Sequence, residues 1–275
     1  MMTSSDKAPD AMPTGDGSVP PGKPMTVGDQ VLDKSAQILQ SLKPIKQMSM
    51  HACTFNVYSH DMSRQIEAHH YITRLNQDFL QCAVYDSDDP SAHLIGVEYI
   101  VSDRIFDTLS TDEQKLWHSH DHEVTSGLWV CPGVPEMLNR TELENLAHTY
   151  GKFWCTWQVD RGKTRSSFLL SFSLRHLKGE KRIWNILCDR LPLGAPALMM
   201  SPQVVNMGVV QPELVRVRDN KYKISTDELR KSRADIPVSK PGNARASDFW
   251  MQNGKGYAID IENAEMKRLE GPKFP

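Results

Sequence analysis

The sequence predicts an α+β fold, a mainly antiparallel sheet with flanking helices behind a disordered N-terminal tail. Three observations carry this. Short β-branched and aromatic runs at 53–58, 69–75, 82–85, 94–101 and 127–131 have the texture of strands. Between two of them, Asp86-Ser87-Asp88-Asp89-Pro90-Ser91 is turn chemistry, because short polar side chains bond nearby backbone and Pro fixes φ, so an antiparallel hairpin is the natural connection. Helical segments interrupt the strands irregularly, without the βαβ rhythm of a parallel sheet. No internal repeat is visible.

Taken in order, residues 1–24 are rich in Pro, Gly, Ser, Asp and Lys with no aromatic residue, too little apolar surface to offset the entropy of ordering, and are expected to form a flexible tail. From 25 to 42 the residues Val27, Val31, Leu32, Ile38, Leu39 and Leu42 recur at helical steps and share one stripe. The expectation is a helix docked on the core. The alternative is a helix lying on lipid, although Asp29 and Asp33 against Lys34 deny it the usual basic face. Three helix starts carry capping-box spacing: Ser110 with Glu113, Thr141 with Glu144 and Ser225 with Glu228. The first helix runs toward Trp117; the second passes through Leu143, Leu146, Ala147 and Tyr150 and stops at Gly151 as its C-terminal cap. Phe153, Trp154 and Trp157 read as a strand with rings on both faces, packed in the core.

Residues 163–188 stand apart. Lys163, Arg165, Arg175, Lys178, Lys181 and Arg182 against Glu180 wrap a run of apolar residues and serines at 168–174. The stretch reads as an insertion looped out of the fold, with a membrane-surface element as the alternative. Helices follow at 213–222 and 226–233, and 237–243 reads as a linker. The organisation expected is a tail at 1–24, one α+β domain at 25–222 containing the basic insertion, and a C-terminal helix with a loosely packed tail at 223–275.

Composition narrows the function classes. In 275 residues, 39% are hydrophobic and 24% charged, ordinary values for a globular chain. The 32 basic and 34 acidic residues leave a net charge of −2, too balanced for a surface built around nucleic acid, and no nucleic-acid partner is expected. The five cysteines are an odd number, far apart and without a C-x-x-C pair, which reads as a reduced, intracellular chain. No apolar run approaches the roughly 20 residues of a membrane-spanning helix, so membrane attachment is expected to be peripheral.

The densest candidate chemistry is Trp117-His118-Ser119-His120-Asp121-His122-Glu123. Read as the start of a strand ending near Cys131, its period of two puts His118, His120 and His122 on one face. Imidazoles so placed suit a divalent metal, zinc or iron, with a further ligand from His69, His70 or Glu98. Satisfied structural histidines are the competing reading. Arg64, near Gln65 and Glu67, and Arg161, in Asp160-Arg161-Gly162, are candidates for holding an anionic ligand through bidentate guanidinium contacts, with structural salt bridges as the other explanation. No phosphate loop, nucleophile elbow or activated cysteine is present, so no catalytic residue is assigned.

The same residues carry a family resemblance. His69-His70-Tyr71 with Leu75-Asn76, Gln81-Cys82-Ala83-Val84-Tyr85-Asp86-Ser87, Leu94-Ile95-Gly96-Val97-Glu98-Tyr99, Leu116-Trp117-His118-Ser119-His120 with Glu123-Val124, and Trp157-Gln158-Val159-Asp160-Arg161-Gly162 together resemble the oil body-associated protein family, over about 27–222. The resemblance implies a non-enzymatic protein, cytoplasmic and peripheral on oil bodies or lipid droplets, that supports droplet size and stability and meets the droplet surface or a droplet protein. It implies no catalytic residue. Two departures stand out: the stretch 163–188 separates motifs that relatives join almost directly, as an insertion or a translated intron would, and His122 is not typical of relatives. His118 and His120 are therefore the better pair. The competing class is a metal-dependent enzyme or small-molecule binder built on the histidine cluster. Oligomeric state is left open.

Overall fold

The computed structural model describes residues 23–160, 191–204, 210–238 and 253–264. The expected tail up to residue 22, the basic stretch 163–188 and Arg161 lie outside the described residues.

Strands β1 (Met50–Tyr58), β2 (Asp61–Asn76), β3 (Phe79–Tyr85) and β4 (Leu94–Ser102) form an antiparallel meander. The turn at 86–91 joins the last two, with the Asp86 amide bonded to the His93 carbonyl. After β4 come two short helices, α3 (Asp103–Phe106) and α4 (Thr111–Gln114), then the two-residue β5 (His118–Ser119), α5 (Asp121–Thr125), α6 (Glu136–Leu146), β6 (Thr149–Cys155) and β7 (Ala197–Met200). The free side of β4 pairs with β6, β6 with β7, and β7 returns to β1. Six strands thus close on themselves, and β5 adds to β6 beside β7.

The expectation of an antiparallel sheet with helices holds in its strand direction and its helices. It is corrected in shape, because the sheet is a closed barrel. The closing pair is short, since β7 meets β1 only at Val57 with Met200 and Tyr58 with Met199, and the bridge of Cys53 with Val130 covers more of that edge.

Residues directly opposite across a ladder share a face. Ile72, Cys82, Glu98, Phe153, Met199 and Tyr58 are successive partners around the barrel, and all but Glu98 belong to the main apolar core. The interior is therefore an apolar core with a carboxylate in it. In β4 the alternation is inverted: Glu98 is 1% exposed while its neighbours Val97 and Tyr99 are 41% and 40% exposed. In β1 no alternation shows, since every residue from Ala52 to Tyr58 is buried. Its outward Phe55 is covered by Leu128, Val210, Leu214 and Val215.

Two C-terminal helices, α7 (Pro212–Tyr222) and α8 (Thr226–Ser232), cover this outer side and match the runs expected there. Buried arginines hold them. Arg218 donates to the Leu128 carbonyl at 2.7 Å and to Thr226 Oγ1 at 2.6 Å, with its guanidinium over the Phe55 ring. Arg233, just past α8, donates to the carbonyls of Val124 and Trp129 and forms a two-pronged pair with Glu136. Farther on, the Tyr257 amide donates to Ser59 Oγ at 2.7 Å, and its ring packs against Val57, Leu198 and Met200.

Several local expectations are corrected. Segment 127–131 is not a strand; it meets the barrel through one bridge, Val130 with Cys53. The helix expected to start at Thr141 begins at Glu136, with Thr141 inside it, and it ends at Leu146. Tyr150 and Gly151 belong to β6, because the aromatic run that follows prefers an extended backbone and β4 offers it a partner. Ser110 and Ser225 do cap their helices, accepting from the amides of Glu113 and Glu228.

The first helix, α1 (Val27–Leu39), forms with a capping box between Thr26 and Asp29 but stops short of Leu42, which instead precedes the short helix α2 (Lys43–Lys46). It does not dock on the core. None of its residues is buried, and Val27, Val31, Leu32, Ile38 and Leu39 are 59–85% exposed.

Candidate functional site

Glu98 enters the barrel from β4 and meets three imidazoles. His70 comes from β2, His118 from β5 and His120 from the N-cap of α5. His70 Nε2 lies 2.8 Å from Glu98 Oε2; His118 Nε2 and His120 Nε2 lie 3.2 and 3.4 Å from Oε1. All four side chains are at most 1% exposed. Yet Nε2 of both His70 and His118 and Oε2 of Glu98 lack hydrogen-bond alignment to any protein group. Of the three contacts, only that of His120 Nε2 with Oε1 has hydrogen-bond geometry, and its direction depends on which ring nitrogen carries the proton.

The ring of His120 is oriented from behind. Thr149 Oγ1 donates its one proton to the Leu146 carbonyl at 2.7 Å, so at 2.8 Å from His120 Nδ1 it accepts from that nitrogen. Nδ1 then carries the hydrogen, and the lone pair of Nε2 points at the Glu98 carboxylate. Burial pushes the His120 imidazole below its ordinary value and favours this neutral form. Burial also opposes ionisation of Glu98, but the three imidazoles, His70 foremost, outweigh it and hold the carboxyl well below the usual range. The His120 lone pair therefore faces the Glu98 carboxylate among fully buried side chains. Trp129 stacks near His70 and His120, and Phe153 meets the edge of His70, so the rings sit in an apolar shell.

Gly151, opposite His118 in the ladder, keeps the centre of the cluster open. A Cβ there would lie 2.1 Å from Glu98 Oε1, 2.7 Å from His120 Nε2 and 3.0 Å from His118 Nε2. Gly151→Ala is expected to keep the fold, because the atoms it meets are side-chain ends, at a cost of about 1–3 kcal/mol for overpacking. Side-chain nitrogen NMR checks this: the His118 and His120 signals should move and those of His51 and His69 should not. Unmoved His118 and His120 signals would contradict the geometry.

Nearby, Glu123 is fully buried on α5 and accepts from Thr54 Oγ1 at 2.9 Å. Burial pushes its carboxyl well up, with Glu98 adding to the effect.

His69, the neighbour of His70, points out of the barrel. It joins Cys53, Glu67 and His51 in a second cluster: Cys53 Sγ donates to Glu67 Oε1 at 3.4 Å, His69 Nε2 lies 3.0 Å from the same oxygen, and His51 Nε2 lies 3.0 Å from His69 Nδ1. Here the polar atoms pair off in a hydrogen-bonded chain. Burial first, and Glu67 second, push the Cys53 thiol well up and keep it protonated. The other described cysteines, Cys82, Cys131 and Cys155, are free and buried.

Arg64 is engaged on all sides. Its Nε and Nη2 bond both oxygens of Asp160 at 2.7 and 2.6 Å, Nη1 donates to Gln158, and the guanidinium lies 3.8 Å over the Tyr58 ring. Of the histidines in 118–122, the structure brings together His118 and His120 and leaves His122 in α5, away from the cluster, because the chain turns into a helix after Ser119 instead of continuing as a strand. Sequence reasoning overlooked Gly151, Thr149, Trp129 and Glu123. The one local sign was a glycine beside an aromatic strand run, which marks a close approach.

A protein-family model described as "Protein of unknown function (DUF1264)" matches residues 42–166 and 180–237. Among curated proteins, the chain is 54% identical to oil body-associated protein 2A of Arabidopsis thaliana over 270 residues, covering 98% of both chains. It is 52% identical to oil body-associated protein 2B of Zea mays, covering 97% of this chain and 98% of that one. It is 34% identical to oil body-associated protein 1B of Arabidopsis thaliana over 257 residues, 94% of each. No solved structure gives a significant match.

Proposed function

The chain belongs to the oil body-associated protein family, and from that membership we propose that it is a cytoplasmic, peripheral, non-enzymatic coat protein of oil bodies that supports droplet size and stability, with α1 making the lipid contact. One observation carries the choice of α1: its apolar stripe has no partner in the barrel. Val27, Val31, Ile38, Leu39 and Leu32 lie along one side of the helix, and Asp29, Asp33, Lys34 and Gln37 along the other. Such a helix lies in an interface with its apolar side toward the acyl chains. Among the described residues, no helix is long and apolar enough to cross a membrane.

Full burial of each large apolar side chain contributes about 1.5–3 kcal/mol. With two acidic residues and one lysine on the polar side, attraction to anionic lipid adds little, so adsorption is reversible and nearly independent of salt.

The test is flotation of the full chain with triglyceride droplets coated in phosphatidylcholine. The double variant Val31→Asp, Leu39→Asp should lower the bound fraction at least about tenfold, since each charge opposes burial by more than the 1.4 kcal/mol that a tenfold change requires. Its melting temperature should not change, because neither residue is buried. Equal binding of variant and wild type would refute contact through α1. Binding to native oil bodies but not to protein-free droplets would replace lipid contact with recruitment by a droplet protein.

A further inference from the structure

We propose that the barrel interior binds one divalent first-row transition metal ion, zinc or iron, through Glu98, His118 and His120, with His70 against the second carboxylate oxygen. This stands apart from the droplet reading and rests on the site's own chemistry.

The first support is spacing. Donor atoms held about 2.1 Å from one ion stand about 3.0–3.4 Å from each other, and His118 Nε2 and His120 Nε2 lie 3.2 and 3.4 Å from the same oxygen, Glu98 Oε1. The second is alignment. His118 Nε2 is fully buried beside Glu98 Oε1 and has no aligned hydrogen-bond partner, so it is left with an unmet demand that an ion would satisfy. The third is polarity. The hydroxyl of Thr149 fixes the hydrogen of His120 on Nδ1, which leaves a lone pair and a carboxylate face to face, an arrangement that a cation between them stabilises. The fourth is space, since Gly151 keeps clear a point within 2.1–3.0 Å of three of the donor atoms.

Two imidazoles and one carboxylate, with a remaining position for water, suit zinc or iron(II). Calcium and magnesium prefer all-oxygen shells. The outer cluster of Cys53, Glu67 and His69 has comparable residue types, but its atoms are already bonded to one another. The two clusters make opposite demands on experiment.

The full chain, produced without a histidine tag, should carry about one zinc or iron ion by elemental analysis. Stripping with a chelator should lower its melting temperature on the order of 10 °C, and Zn²⁺ or Fe²⁺ alone should restore it. X-ray absorption of the reloaded protein should show nitrogen and oxygen neighbours only. Glu98→Gln, which keeps the side-chain shape, and His118→Ala should lose the ion, and His69→Ala should keep it. The proposal is overturned if stripped wild-type protein takes up neither ion, if the double variant Glu98→Gln, His118→Ala retains it, or if sulfur appears in the shell. Reconstitution of wild-type protein needs no variant and decides the matter even where a substitution prevents folding.

Discussion

Arg233→Ala is expected to destabilise the fold by about 3 kcal/mol, the lower end of the cost of breaking a buried charge pair. The side chain is 1% exposed and serves three segments at once. Nη1 holds the carbonyl of Val124, 3.0 Å away at the end of α5, and that of Trp129 at 2.8 Å; Nε and Nη2 hold both oxygens of Glu136 at the start of α6. Alanine takes the Arg233 donor from the Trp129 carbonyl, at about 1–3 kcal/mol unless water enters, and leaves the Val124 carbonyl with the Gly127 amide. Glu136 keeps partial access to water, which sets the value near the lower end. Thermal denaturation should register a drop of about 6–12 °C. Trp129 also packs beside His70 and His120, so its indole fluorescence should change with the loss. Glu136→Gln keeps the carbonyl contacts and should cost less. Equal losses for the two variants would show that the carbonyls do not matter.

Gly96→Val should be at least as damaging, about 3 kcal/mol or more. Gly96 sits in β4 directly opposite Cys155, at the seam where the meander joins β6 and closes the barrel. A Cβ there would stand 2.2 Å from the Trp154 carbonyl oxygen and 3.1 Å from the Cys155 Cα. Both are backbone atoms, so no rotamer change relieves the contact and the strands must separate. The same stretch of β6 carries β7, so closure onto β1 is weakened as well. Hydrogen exchange localises the effect: amides of β4 and β6 should lose protection first, while the β1–β2 ladder keeps more of its own. Uniform loss across all strands, or a variant as stable as wild type, would contradict this account of the seam.

Those two expectations depend on long-range contacts, and the reading of the chain divides along the same line. Signals acting within a few residues were legible. The stripe from Val27 as far as Leu39, though not its expected end at Leu42, the turn at 86–91, the caps at Ser110 and Ser225 and the helices at 213–222 and 226–233 each follow from side chains meeting their own backbone or their own helix face. The ordered motifs from His69 to Gly162 were enough to reveal the family. Where a local signal misled, a distant partner prevailed: Gly151 looked like a helix cap until β4 supplied a strand for it to pair with.

Closure of the sheet was hidden in the sequence because it depends on β4 pairing with β6 some fifty residues later, a choice that no periodicity records. Inward placement of Glu98 was hidden for a related reason. Alternation reports which face meets water, and a barrel wall packed on both sides, or one with apolar Val97 and Tyr99 left outside, no longer carries that report. The histidines were visible as residue types. Only the closed barrel decided that His70 joins His118, His120 and Glu98 while His69, one residue earlier, faces away, because successive side chains on a strand point to opposite sides and the curvature of the sheet sets which side is the interior.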